Sequence, residues 1–143
     1  MKSTSYTTAN EEETIELGRV LAAGWPRPCI VLLIGNLGAG KTTLAKGIAE
    51  GLGSAKADDV SSPTFPLIHE YGDEGDLYHI DLYRLDTVEE VETLGLEEIF
   101  SRHAVVLLEW AERFPALLPA ERIEIRIEAV DEETRVLTVT ELP

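Results

Sequence analysis

The sequence predicts an α/β fold: an open sheet of mixed parallel and antiparallel strands with flanking helices. Three observations predict it. Two short, apolar runs, "PCIVLLIG" (28–35) and "HAVVLLEW" (103–110), read as central strands buried on both faces. A Gly-rich turn and a helical pattern follow the first run, the strand–helix alternation of a parallel sheet. Two further pairs of strand-like runs, around "GDEG" (72–75) and "VDEET" (130–134), read as antiparallel hairpins.

Taken in chain order, "ANEEETIELGRVLAAG" (9–24) reads as a first helix. Asn10 serves as its N-cap, Glu13 three residues later resembles a capping box, and Gly24 ends it. Ile15, Leu17, Val20 and Leu21 supply a rough helical stripe. The first apolar strand comes next, and a second helix spans Lys41 to Leu52. "DDVSSPTF" (58–65) is loop-like, with Pro63 restraining Ser62 towards an extended backbone. "PLIHEY" and "LYHIDLY" form the first hairpin. An acidic helical stretch, Leu85 to Phe100, is broken near Gly95, and the second apolar strand then ends at an acid. "RIEIRIEA" and "RVLTVTEL" close the chain, with Ile123, Ile125 and Ile127 alternating as a half-buried strand requires. No linker or repeat interrupts the 143 residues, so one domain over 1–143 is expected.

Composition narrows the function classes. Lys and Arg number 12 against 27 Asp and Glu, a formal net charge of −15. Such a surface repels phosphodiester backbones and argues against a broad nucleic-acid face. No apolar run approaches the ~20 residues that span a bilayer, and "MKSTSYTTAN" lacks the apolar core of a secretory signal. Cys29 is the single cysteine, so no internal disulfide forms and a reducing, cytoplasmic setting is expected. Leu85–Phe100 carries six acids and no base. It reads either as a solvated helix face or as a docking surface for a basic protein partner.

The chemistry centres on "GNLGAGKTT" (35–43), which fits the phosphate-loop pattern G-x-x-x-x-G-K-[ST] and has the strand before and the helix after that the pattern needs. Gly35, Asn36, Leu37, Gly38, Ala39 and Gly40 form the cradle, the glycines letting backbone N–H groups point inward. The N-terminal end of the following helix, opened by Lys41, Thr42 and Thr43, is a natural anion site. Lys41 is expected to reach the β- and γ-phosphates, and the Thr42 hydroxyl to ligate Mg²⁺. A hard Mg²⁺ ion also calls for a strand-end acid. Glu109 ends "AVVLLE" and Asp81 ends "LYHID", and ligands of open α/β sheets bind outside the carboxyl ends of strands. One acid then holds the metal, directly or through water, while the other orients the attacking water, and spacing does not divide the roles. A strand-end acid that caps a helix or faces solvent is the plain alternative for each.

Ser62 and Thr64 in "SSPTF" are loop hydroxyls of the kind that meet a γ-phosphate or Mg²⁺, or a simple turn. Arg84 pairs with Asp81, Asp86 or a phosphate, a surface ion pair being the commoner outcome. The three histidines show no metal spacing, and one cysteine builds no thiolate zinc site, so no metal cluster is expected. His79 reads as a strand residue, and Trp110 as core packing in preference to an adenine stack.

Together "GNLGAGKTTLAKG", "SSPTF", "YHIDLYRL", "LGLEEIF" and "LLEWAERFPALLP" resemble the TsaE family, in order from Glu11 to Pro119. That family is the small bacterial ATPase of the threonylcarbamoyladenosine tRNA-modification system. Asn10 departs from the serine cap of many members, and the C-terminal hairpin matches in type more than in residues. The resemblance implies a P-loop NTPase-like fold, binding of ATP and Mg²⁺, and slow hydrolysis. It also implies action within a complex whose other subunits form the modified base, with tRNA contacted indirectly. Residue by residue, it implies that Lys41 and Thr42 bind phosphate and metal and that Glu109 is a Walker B-like metal acid. It likens Thr64 to a switch I hydroxyl and Asp81 to a switch II-like strand end, and it brings Thr8 to Thr14 close to adenine.

Two other classes compete. A small-molecule P-loop kinase needs an acceptor pocket and usually an Arg-rich lid, whereas the eight arginines here are scattered. A GTP switch carries N-K-x-D and D-x-x-G motifs, and this chain has neither.

Overall fold

The structure is a computed structural model that describes residues 1–36, 38–61, 67–72 and 76–143. Seven strands form one sheet: β1 (Lys2–Thr8), β2 (Cys29–Ile34), β3 (Ile68–Tyr71), β4 (Leu77–Asp81), β5 (Val105–Glu109), β6 (Arg122–Ala129) and β7 (Arg135–Leu142), ordered β1-β7-β6-β2-β5-β4-β3. The central β2 runs parallel to β5 and to β6, and β5 runs parallel to β4. The edges are antiparallel: β3 on β4, β6 on β7, and β7 on β1. Both expected hairpins and the mixed sheet are therefore present.

Every residue of β2 and β5 is buried, as wholly apolar runs require of strands covered on both faces. On one face Val31, Leu33, Leu107 and Ile125 pack against Leu44 and Ile48. On the other, Leu32, Ile80 and Leu108 pack against Val91, Leu96 and Ile99. Each such side chain contributes roughly 1.5–3 kcal/mol by leaving water.

Helix α1 spans Glu11–Ala23 and α2 spans Lys41–Gly51. The Asn10 cap forms as expected, its Oδ1 accepting from Glu13 N at 2.9 Å. The Glu13 carboxylate instead reaches one residue further back and accepts from Ala9 N at 2.8 Å. The two helices pack closely because glycines face the crossing. A Cβ at Gly18 would lie 2.6 Å from the Leu44 carbonyl oxygen, and one at Gly47 would overlap that of Ile15. Arg19 of α1 also pairs with Glu50 of α2 at 2.5 Å. The Glu50 carboxyl is held below its ordinary range by that guanidinium and by the Ala57 N–H.

The acidic stretch forms two short helices, α3 (Val88–Glu92) and α4 (Leu96–Phe100), with Gly95 at a positive φ of 70° between them. Thr87 and Glu90 make a reciprocal capping box. Asp86, Glu89, Glu90, Glu92, Glu97 and Glu98 are all exposed while Val91, Leu96 and Ile99 are buried. Among the described residues no helix is long and apolar enough to cross a membrane.

Strand β1 was not expected from the sequence. Its residues, "KSTSYTT", show no apolar run, because an edge strand with one wet face needs none. Its Thr and Tyr content was the available sign.

Candidate phosphate-loop site

The loop from Gly35 to Gly40 lies between the carboxyl end of β2 and the first turn of α2. Gly38 and Gly40 take positive φ values of 79° and 110°, which only glycine adopts at no steric cost. Ala39 N donates to the Asn36 carbonyl at 3.0 Å, closing the turn. Arg135, at the start of β7, donates from Nε to the Ala39 carbonyl at 2.8 Å, and its other nitrogens donate to the carbonyls of Asp131, Glu132 and Thr134. Thr42 and Thr43 are half-buried in the first turn of α2. Leu37 and Thr64, both expected at the site, and Ser62 beside Thr64 lie outside the described residues.

Lys41 is 5% exposed, and its Nζ has no hydrogen-bond partner among the described residues. The ammonium sits 3.8 Å from Glu109 Oε1 and 3.9 Å from the centre of the Trp110 ring. Burial pushes the Lys41 amine below its usual value, while Glu109, Glu112 and Asp81 pull it back up. A buried cation lacking a hydrogen-bond acceptor is expensive unless something anionic completes it.

Asp81 and Glu109 are direct neighbours in the parallel register of β4 and β5, at their carboxyl ends. Both are 3% exposed, so neither faces solvent as the plain alternative had it. Asp81 Oδ1 accepts from Tyr83 N at 2.8 Å. Glu109 Oε2 is 2.5 Å from His79 Nε2. His79 belongs to β4 as read from the sequence, but its contact with Glu109 was missed. The available signal was its place two residues before Asp81, which puts both on one face of the strand. Arg84 lies on the surface, and the Asp86 carboxylate pairs with Arg113 at 3.6 Å.

Trp110 packs against the core cluster, as expected, and does more. It has a positive φ of 65°, stacks obliquely on Tyr83 at 5.0 Å, and lines a cleft of about 810 Å³ beside the loop. Ile34, Gly35, Asn36, Gly38 and Ala39 form one wall of that cleft, with Glu112 and the Arg126–Ala129 segment around it.

 A second, smaller cavity of about 200 Å³ is lined by Gly40, Thr43 and Arg135 together with Glu11 and Thr14 of α1. Thr14 is buried and shares a 2.7 Å hydroxyl contact with Thr8, so the end of β1 and the start of α1 adjoin the loop.

The donor set suits a nucleotide triphosphate with a divalent cation. The glycine cradle and the Lys41 Nζ, unpartnered among the described residues, match phosphate oxygens. The Asp81 and Glu109 carboxylates and the Thr42 hydroxyl are the hard oxygen donors that Mg²⁺ prefers.

Comparison with known proteins decides the lineage. The profile of the family described as "Threonylcarbamoyl adenosine biosynthesis protein TsaE" matches residues 8–137. The chain belongs to the TsaE family. A TsaE relative from Bacillus subtilis (strain 168), named "tRNA threonylcarbamoyladenosine biosynthesis protein TsaE", is 43% identical over 141 residues, covering 98% of this chain and 87% of the relative. A TsaE protein of the same name from Nostoc sp. (strain PCC 7120 / SAG 25.82 / UTEX 2576) is 40% identical over 145 residues, covering 96% of this chain and 85% of its own length. The solved structure described as the crystal structure of Bacillus subtilis YdiB superposes with a TM-score of 0.80 at 39% identity, covering 99% of this chain and 87% of that one. The expected P-loop NTPase-like fold is therefore the one observed.

Proposed function

We propose that this TsaE-family chain is a Mg²⁺-dependent ATP-binding protein and slow ATPase that supports the protein complex forming the threonylcarbamoyl modification of adenosine in tRNA. The observation that carries the nucleotide reading is Lys41: a buried ammonium with no hydrogen-bond partner among the described residues, at the mouth of a glycine cradle and 3.8 Å from a strand-end acid. Family membership supports the tRNA-modification role.

In this reading the loop N–H groups and Lys41 would hold the phosphates, and Thr42 and Glu109 would hold Mg²⁺, which would supply charge neutralisation to the phosphates. Asp81 orients the attacking water. The water oxygen bonds to the γ-phosphorus, the bond from that phosphorus to the β–γ bridging oxygen breaks, and ADP and phosphate leave. The cavity shared by Thr14, Thr43 and Arg135 takes the base. The acids of α3 and α4 flank a groove of about 480 Å³ floored by Val91, Leu96, Phe100 and Leu117, and this face docks a basic segment of another subunit. The −15 charge fits a protein that leaves contact with tRNA to its partners.

The test is thermal protection by ATP or GTP with Mg²⁺, followed by phosphate release with and without partner subunits. Stronger protection by ATP, and weak release that rises with partners, is expected. Equal protection by both nucleotides counts against the ATP assignment. Stoichiometric phosphorylation of a small metabolite would establish the kinase alternative instead.

A further inference from the structure

His79 is fully buried and touches the candidate site at Glu109. Its Nε2 lies 2.5 Å from Glu109 Oε2, and its Nδ1 has no hydrogen-bond partner among the described residues. In the β4–β5 register His79 sits opposite Leu107, two residues before the level of Asp81 and Glu109. Strand alternation puts all four on the face that carries α2. The imidazole therefore supports Glu109 from beneath, on the side away from the phosphate loop. The other oxygen, Oε1, is the one directed at Lys41, 3.8 Å away.

We propose that His79 is a positioning residue for divalent-cation binding: its Nε2–H locks one oxygen of Glu109 so that the other is presented to the metal. This rests on the reading of Glu109 as a metal acid. A glutamate carboxylate has a broad terminal torsion, and ordering such a side chain costs conformational entropy. A buried donor on Oε2 meets that cost before any ligand arrives. The choice of donor matters as much as its position. A lysine or arginine there would bring a fixed positive charge against the incoming cation, whereas an imidazole can donate through a single N–H. With Nδ1 unpartnered among the described residues, the tautomer that suits this contact carries its proton on Nε2, where Glu109 accepts it. Partners of this kind, one bond removed from a metal, typically change metal affinity or activity about 10–100-fold when lost.

The experiment compares the wild type with His79→Leu, which removes the N–H, and His79→Gln, whose amide places an N–H near the position of Nε2. Binding of a fluorescent ATP analogue is measured in EDTA and across a Mg²⁺ titration. His79→Leu is expected to raise the Mg²⁺ midpoint about 10–100-fold with analogue affinity in EDTA unchanged, and His79→Gln to recover most of the loss. An unchanged midpoint in His79→Leu, or no recovery in His79→Gln, overturns the proposal. A wild type with no Mg²⁺ dependence would instead sink the reading of Glu109. Should His79→Leu fail to fold, nitrogen-15 NMR of the metal-free wild type still decides. The Nε2–H tautomer, perturbed by Glu109→Ala, supports the proposal, and the Nδ1–H tautomer overturns it.

Discussion

Arg135 Nε donates to the carbonyl of Ala39 at 2.8 Å, tying the first residue of the last strand to the interior of the phosphate loop. Replacing this residue with leucine removes the tie and the bonds to the Asp131–Thr134 turn, while leaving the strand pairing in place. A hydrogen bond from a charged donor contributes about 1.5–3 kcal/mol, part of which is loop order. Nucleotide affinity is expected to fall roughly five- to thirtyfold, for a loss of about 1–2 kcal/mol, with the circular-dichroism spectrum preserved. Wild-type affinity in Arg135→Leu would mean that the loop holds its shape without the guanidinium.

Lys41→Met keeps the length and apolar stem of the side chain and deletes its charge. Charge-assisted hydrogen bonds to phosphate contribute about 1.5–3 kcal/mol, so ATP affinity should drop roughly 10- to 150-fold. Calorimetric titration with ATP and Mg²⁺ reads this directly, and an unaltered dissociation constant would remove Lys41 from the phosphates.

Glu109→Ala is expected to leave the fold intact and to weaken Mg²⁺-dependent turnover by at least about tenfold. Turnover and melting temperature are measured on the same sample. Unchanged turnover would take Glu109 out of the metal site.

Gly47→Ala places a methyl group against the backbone oxygen of Ile15, where neither helix has a flexible side chain to move. The expected cost is about 1–3 kcal/mol, read as a melting temperature lower by several degrees. Nucleotide protection should fall as well, because α2 carries Lys41 at its first turn. A melting temperature equal to the wild type's would show that α1 and α2 can separate freely.

Burial, with Glu121 and Glu141 nearby, pushes the Cys29 thiol from 9.0 up to about 11. At pH 8 the thiolate fraction is then on the order of 10⁻³, and alkylation of the native protein should run roughly 100-fold or more slower than of the unfolded chain. The sign of the linkage follows from the raised value. The native state retains the thiol proton above the pH at which the unfolded chain releases it, so this contribution to stability is complete below pH 9.0 and is lost as pH rises through about 11. Melting temperatures of the wild type and Cys29→Ala across that range should converge as pH increases. Parallel curves would assign the alkaline loss to other groups.

Much of this was readable from residues. Apolar runs bounded by Pro28 and Gly35, or ending at Glu109, have few physical solutions besides a buried strand, and a strand followed by a glycine-rich turn and a helix fixes the parallel half of the sheet. That Asp81 and Glu109 end strands was readable from the apolar runs that precede them. What escaped depends on distance in sequence. Arg135 reaches Ala39 across 96 positions, and His79 reaches Glu109 across 30, and neither pairing leaves a local trace. Gly47 was invisible for another reason: a mid-helix glycine looks like a weakness until a second backbone is found lying against it. The polar β1 lacked the apolar signature because its partner β7, not a core, defines it.

The pairing of β1 with β7 runs from Lys2 opposite Glu141 to Thr8 opposite Arg135. During synthesis the first strand must therefore wait for the last. A chain still on the ribosome at α2 already has the glycines and Lys41, yet lacks the arginine that braces them and the strand that receives its own beginning. Nascent chains fold from the N-terminal side as they emerge, and here that order leaves residues 2–8 unpaired until nearly all the rest has been made. The brace that Arg135 gives the loop is thus complete only once β7 has been made.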